Sequence, residues 1–557
     1  MNRETERRFS EVPNISRPRS KFKRSFTHKT TFDAADIIPI YLDQDILPGD
    51  TVSMKMSQVV RMATPLYPIM DNAYIDIMFF FIPDRLVWDH WQEFWGESKS
   101  KWYQQVEYEI PHIKTTALLK FQPKSLADYM GIPISAGGIT VSALPFRAYC
   151  KVWNDWFRDE NLQDEVPFTT GDSDANVSSA TQHGGALLKA NKYHDYFTSA
   201  LPTPQKGPDV LLPLGTWAPV NTRDVDAPIP WDLAVQEPLS WRGLNSTSAF
   251  TQDTFYNHVL KSDGVDSLNL PEFHSATKSN TTPTGGTTTG LYPTNLWANL
   301  ESATAATISS LRTAFAIQRF YEAQARGGSR YIEFLRNIFG VISPDARLQR
   351  SEYLGGKRIP ISINQVLQTS ATTEESPQGN TAAYSHTVDY SDYFTKSFTE
   401  AGILIGVGVV RTDHTYNQGL ERGWSRRKWT DFYVPQFAHL SEQAILNKEI
   451  YAQGTDADDE AFGYQEAWAD YRYKPSIVTA AMRTTYAQTL DAWHYADNYT
   501  EQPILGETWI QETKDNIDRT LAVTSDVENQ FIADFYFTPT YVRPMPIYSV
   551  PGLIDHM

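Results

Sequence analysis

The chain has one cysteine, Cys150, among 557 residues. That excludes an intrachain disulfide and any cysteine-rich zinc site. Long apolar runs are also missing. The longest, such as Ile77 to Ile82, fall far short of the roughly 18 residues of a membrane span, so no membrane insertion is expected. The charged start, Met1 to Arg8, is followed by no apolar segment of signal-peptide type, and folding in a reducing cytosol is expected. Positive charge is scarce: 49 Lys and Arg stand against 66 Asp and Glu, a formal charge of −17. A body of that sign does not coat nucleic acid non-specifically.

Catalytic signatures are missing too. There is no Gly-x-Ser-x-Gly elbow and no His-Glu-x-x-His helix. Gly355-Gly-Lys-Arg358 lacks the upstream glycine and the following hydroxyl residue of a phosphate loop. Gly406-Val-Gly408 has Arg411 where a dinucleotide fingerprint needs its third glycine. The acidic run Asp456 to Glu460 has Ala461 in place of the glycine of a calcium loop. The 12 histidines show no ligand spacing. No enzyme activity, metal or cofactor is expected.

What is present is strand pattern and aromatic bulk. With 41% hydrophobic and 13% aromatic residues, a large core is available. Val52 to Val59 alternates apolar with polar, the period of a half-buried strand. Ala73–Ile82 and Ile403–Val410 are apolar on both parities, as strands buried on two faces are. Phe531, Phe535 and Phe537 share one parity and Ile532 and Tyr536 the other, which also reads as a strand covered on both sides. Two helices stand out. One starts at Pro145 and carries Phe146, Tyr149, Cys150, Trp153 and Trp156 or Phe157 in a stripe, making Cys150 a packing thiol. The other spans Ala305–Arg326, with Ile308, Leu311 and Phe315 on one face and Gly327-Gly328 as its stop. The class is all-β dominated, with few helices.

Five regions follow: a basic N-terminal arm (1–32), a first part of the core (33–215), a large surface insertion (216–302), the rest of the core (303–538) and an extended Pro-rich tail (539–557). Between Val12 and Phe32 the arm has six cations and no acid. Arg17, Arg19, Lys21, Lys23 and Arg24 are candidates for phosphate contact, with Phe22 and Phe26 for base stacking. The competing interpretation is a solvated basic tail. A second candidate is Arg422, Arg426, Arg427 and Lys428 with Trp424 and Trp429, against a polar turn whose tryptophans pack inward. Ser275–Gly290 has no large apolar residue, so its threonines Thr281, Thr282, Thr284, Thr287, Thr288 and Thr289 are placed on an exposed tip, a candidate host contact. The tail, with Pro544, Pro546 and Pro551, is expected to lie across a neighbouring copy.

Long stretches in a fixed order carry a resemblance. They include Thr27-His-Lys-Thr-Thr-Phe-Asp33, Leu47-Pro-Gly-Asp50, Arg85-Leu-Val-Trp88, Trp153-Asn-Asp-Trp156, Ala325-Arg-Gly-Gly-Ser-Arg-Tyr331, Asn447-Lys-Glu-Ile-Tyr-Ala-Gln453 and Pro551-Gly-Leu-Ile-Asp-His556. The chain resembles the major capsid proteins of the gokushoviruses, small tailless single-stranded-DNA phages of the Microviridae, with departures at Gln163–Lys192 and about Asn221–Ala298. The resemblance implies an eight-stranded antiparallel jelly roll and an icosahedral T=1 shell around a circular ssDNA genome. It also implies that the insertion forms protrusions at the threefold axes. Implied partners are other copies of the chain, the genome, an internal scaffolding protein, a small basic packaging protein, a DNA pilot protein and a host surface receptor. The implied location is the virion, assembled in the host cytoplasm. The alternatives are a carbohydrate-active β-sandwich enzyme and a non-assembling ssDNA-binding protein.

Overall fold

The structure is a computed structural model. It describes residues 18–97, 107–208, 308–327, 331–340 and 349–548, apart from most of 368–380, together with short stretches between 210 and 298. Two compact units are present, one made of 1–206 with 322–557 and the other of 207–321. The second unit contains two short antiparallel strand pairs, Val220–Thr222 with Leu296–Ala298 and Trp241–Gly243 with Leu291–Pro293, and most of a helix.

The first unit is built on ten principal strands: β1 (Ser20–Lys23), β2 (Phe26–Phe32), β3 (Ile38–Ile46), β4 (Thr51–Met62), β5 (Ala73–Pro83), β6 (Glu352–Pro360), β7 (Thr387–Ser397), β8 (Gly402–Thr412), β9 (Phe531–Phe537) and β10 (Thr540–Arg543). They form two antiparallel sheets. In the first, β7 flanks β4, both β9 and β10 pair with the other edge of β4, and β2 and β1 pair with β9 and β10 in turn. In the second the order is β6–β5–β8–β3. The chain crosses repeatedly between the sheets, which is how a jelly roll closes its sandwich. The first sheet has six strands and the second four.

Burial differs between the sheets, and the sequence shows why. In β4, Val52, Met54, Met56, Val60 and Met62 enter the core while Ser53, Lys55, Ser57 and Arg61 face solvent. In β5 both parities are apolar. Ile75, Ile77, Phe79 and Phe81 pack between the sheets, whereas Phe80 and Ile82 pack on the opposite side with Trp88, Phe146 and Tyr149. Ile403, Ile405, Val407 and Val409 of β8 join that second cluster. The second sheet is thus covered on both faces, by the first sheet and by helix α1 (Leu144–Val152). The first sheet is covered on one. β9 departs from expectation here, because Ile532 and Tyr536 lie on its solvent side.

α1 continues as a wider turn over Trp153–Phe157, and Cys150 within it is fully buried. Burial pushes the thiol up to about 12, so it packs rather than reacts. Helix α2 (Ile308–Gly327) occupies the described part of the expected span, 305–307 lying outside the described residues; in it Phe315 is exposed and Ala314 buried. No helix among the described residues is long and apolar enough to cross a membrane.

Gly406 shows how tightly the second sheet packs. A Cβ there would stand 2.7 Å from the Phe79 ring and 2.9 Å from Cβ of Tyr41, next to a register shift between β8 and β3. Gly406→Ala therefore forces the core apart, and a loss of about 1–3 kcal/mol is expected in denaturant unfolding. Wild-type stability in that variant would contradict the packing.

Beyond β8 the chain is held by charge. Nδ1 of His414 lies 2.9 Å from Asp497 and Nε2 lies 3.0 Å from Glu512, with the imidazole side chain buried. Lys192 approaches Asp497 at 3.9 Å, and Asn516 donates a hydrogen bond to it. With a carboxylate at each ring nitrogen, the imidazole is a buried cation. Burial opposes that charge, but Asp497 and Glu512 outweigh it and raise His414 to about 10.

Candidate nucleic-acid interface

The first candidate cluster is part of the sheet from Ser20 onward, not a flexible arm. β1 runs antiparallel to β10, with Ser20 opposite Arg543 and Lys23 opposite Thr540. The alternation of Ser-Lys-Phe-Lys turns Phe22 toward the core and Lys21 and Lys23 into solvent, with exposed Arg19 just before them. Phe26, proposed for base stacking, rests on Phe537 at 5.1 Å and Tyr41 at 5.6 Å between ring centroids. Arg24 is committed to the fold: Nη1 lies 2.7 Å from Oδ2 of Asp43, and the guanidinium sits 5.2 Å from the Tyr541 ring centre. Phe22, Phe26 and Arg24 are thereby tied into the packing of the fold, and the outward cations are Lys21 and Lys23 with Arg19. Arg17 lies outside the described residues.

A buried polar group locks this corner. The Tyr541 hydroxyl donates to Asp43 and meets the Tyr41 hydroxyl, and Arg543 Nε lies 3.0 Å from Asp50. Burial, with Tyr41 and Asp43 beside it, raises the Tyr541 hydroxyl far above its ordinary value, so it remains a donor. The tail expected from 539 onward starts as strand β10 and becomes exposed only past Pro544.

In the second cluster two of four cations are used internally. Arg422 donates to the Ala444 carbonyl at 2.8 Å and lies 3.3 Å from Glu449; Arg426 pairs with Asp470 and lies over the Tyr471 ring at 4.3 Å. Arg427 and Lys428 are exposed, and their backbone N–H groups both donate to Asp431 at 2.8 Å, which fixes the turn. The tryptophans do not pack inward: Trp424 is 79% and Trp429 70% exposed. The threonines Thr281 to Thr289 lie outside the described residues. Among the described residues, no group of three His, Cys, Asp or Glu side chains is placed to hold a metal ion.

Sequence inspection passed over Lys55 and Arg61, which share the outward face of the first sheet with Lys21 and Lys23. The signal for them is the polar parity of β4, which places both on its solvent side.

The chain's relatives bear on these surfaces. Residues 10–553 match the family model described as Capsid protein (F protein). The chain is 42% identical to capsid protein VP1 of Bdellovibrio phage phiMH2K, over 99% of this chain and 98% of that protein. It is 40% identical to capsid protein VP1 of Chlamydia phage 1, over 98% and 97% of the two chains. With capsid protein VP1 of Spiroplasma virus 4 the figures are 41%, 96% and 95%. Nothing among them supports a carbohydrate-active enzyme. A strand-rich sandwich, aromatic side chains left in solvent and full-length similarity to three phage capsid proteins agree, and the chain belongs to the F-protein family of phage capsid proteins, a structural component of the virion.

Proposed function

We propose that many copies of this chain close into a T=1 icosahedral shell around a circular single-stranded DNA genome. Arg19, Lys21 and Lys23 face the packaged strand. The insertion at 216–302 forms surface protrusions that meet the host, and assembly proceeds in the host cytoplasm with scaffolding, packaging and pilot proteins. The observation that carries the assembly is large apolar surface without cover in the single chain, including Trp95, Trp424, Trp429, Ile504 and Tyr548. A soluble monomer rarely leaves such groups in water, and neighbouring copies supply the cover.

The DNA role of β1 rests on the alternation that points its cations one way. Side chains on one face of a strand recur about every 6.7 Å, a row suited to successive phosphates of an extended strand. Changing Arg19, Lys21 and Lys23 to Gln is expected to leave assembly intact and reduce the DNA retained per particle. Loss of three phosphate contacts also lowers the salt dependence of binding by about 2 in log–log slope. Normal DNA content by absorbance of gradient-purified particles would remove β1 from this role.

A further inference from the structure

The uncovered face of the first sheet has a composition that the rest of the chain does not prepare one for. Register sets its outward side chains in rows across the strands. One row is Thr27, Tyr536, Ser57 and Tyr390, and the next is Lys29, Asp534, Val59 and Val388. Toward β1, Lys23 lines up with Thr540, Ser53 and Thr395, and Lys21 with Val542, Thr51 and Ser397. In a chain of formal charge −17, this face has five cations, Lys21, Lys23, Lys29, Lys55 and Arg61, against two carboxylates. Both carboxylates are paired here, Asp534 with Lys29 at 3.0 Å and Asp392 with Lys55 at 2.7 Å.

Two aromatic side chains stand in the middle of that positive field. Tyr390 is 65% and Tyr536 43% exposed. They neighbour Ser57 from opposite strands, so their backbones lie about 9–10 Å apart, two strand spacings, with only a small side chain between. An open sheet with aromatic faces and surrounding cations suits single-stranded nucleic acid, because every base has a face to stack and every phosphate a charge to meet. A second protein chain is the competing occupant. Cores of protein interfaces are poor in lysine and serine, whereas this face presents four lysines and a field of hydroxyls.

We infer that the outward face of the first sheet is a stacking platform for single-stranded nucleic acid, with Tyr390 and Tyr536 holding bases and Lys21, Lys23 and Arg61 holding phosphates. The inference rests on the reading of β1 as a DNA-facing strand and extends it across the sheet; in a shell this face turns to the interior. An open cleft of about 710 Å³ beside β2, lined in part by Lys29, Arg61, Lys124 and Ile532, continues the track past the sheet edge.

Fluorescence anisotropy of a labelled oligodeoxythymidylate with full-length protein, over a salt series, tests it. Tyr390→Ser with Tyr536→Ser should weaken binding about tenfold or more and leave the salt slope unchanged. Lys21→Gln, Lys23→Gln and Arg61→Gln together should weaken it and lower the slope by about 2. Unchanged affinity in the tyrosine variant, with weakened binding in the cation variant, overturns the platform and leaves the basic edge standing. Unchanged affinity in both overturns the two together. Blocked particle formation with oligonucleotide affinity intact makes the face a subunit interface and also overturns the platform. Photo-crosslinking of an iododeoxyuridine oligonucleotide to the wild-type protein gives a readout independent of folding of the variants: adducts on peptides containing Tyr390 or Tyr536 support the platform, and adducts only elsewhere overturn it.

Discussion

Truncating the chain after Pro544 leaves a folded, soluble protein that no longer forms shells. β10 ends at Arg543, so its pairing with β1 and β4 survives the cut. What is lost begins with Met545, Ile547 and Tyr548, all exposed in the single chain. Pro544 and Pro546 lack the N–H that a further rung of the ladder needs, so the strand stops at Arg543 and the chain bends after it. Side chains of this size contribute about 1.5–3 kcal/mol each when fully buried, and symmetry repeats that term at every equivalent contact. Analytical ultracentrifugation of the truncated protein should show slowly sedimenting species under conditions where the full chain gives particles. Particles of normal size from the truncated chain would refute the role of the tail.

Asp497→Ala is expected to cost about 3–5 kcal/mol, because it strands the buried His414 cation on one side and takes the carboxylate from Lys192. Burial raises the pKa of Asp497, but His414 and Lys192 outweigh that and hold it below the ordinary carboxylate range. Chemical denaturation at neutral pH measures the loss; a difference under about 1 kcal/mol would show that the network does not hold the fold. The wild type also carries a pH signature. The folded pKa of His414, about 10, lies above its ordinary value of 6.5. Its contribution is therefore complete below about pH 6.5 and is lost as pH rises toward 10. Asp497 has the opposite sign, contributing above its ordinary value of 3.8 and losing that contribution as pH falls through its lower folded pKa. Alkaline destabilisation should be steeper in wild type than in His414→Gln.

Much of the sandwich was legible because burial writes itself into parity. β4 alternates since one of its faces meets water, and β5 and β8 do not since neither face does. The same rule misled at β9, where Ile532 and Tyr536 are large and apolar on the solvent side. A side chain kept for a partner looks, in sequence, like one kept for the core. The arm was misjudged for another reason: β1 is four residues long, and its acid-free composition masked the alternation. Charge partners could not be read at all. Tyr541 and Asp43 are 498 residues apart, and His414 is 83 and 98 residues from its two carboxylates. Only the closure of the sandwich makes Arg24 a structural residue and leaves Lys21 and Lys23 available.

The pairing of β1 with β10 also decides how the corner yields to force. Ser20 and Arg543 are opposite each other, and the flanking segments depart from that same rung. Tension from two neighbours pulling these segments apart acts as on a zipper, breaking the ladder one rung at a time, each worth about 0.5–1.5 kcal/mol net. After the last rung, Lys23 opposite Thr540, the tear meets the ion pair of Arg24 with Asp43. A capsid built this way has a compliant seam at its chain ends and a stiff body behind it.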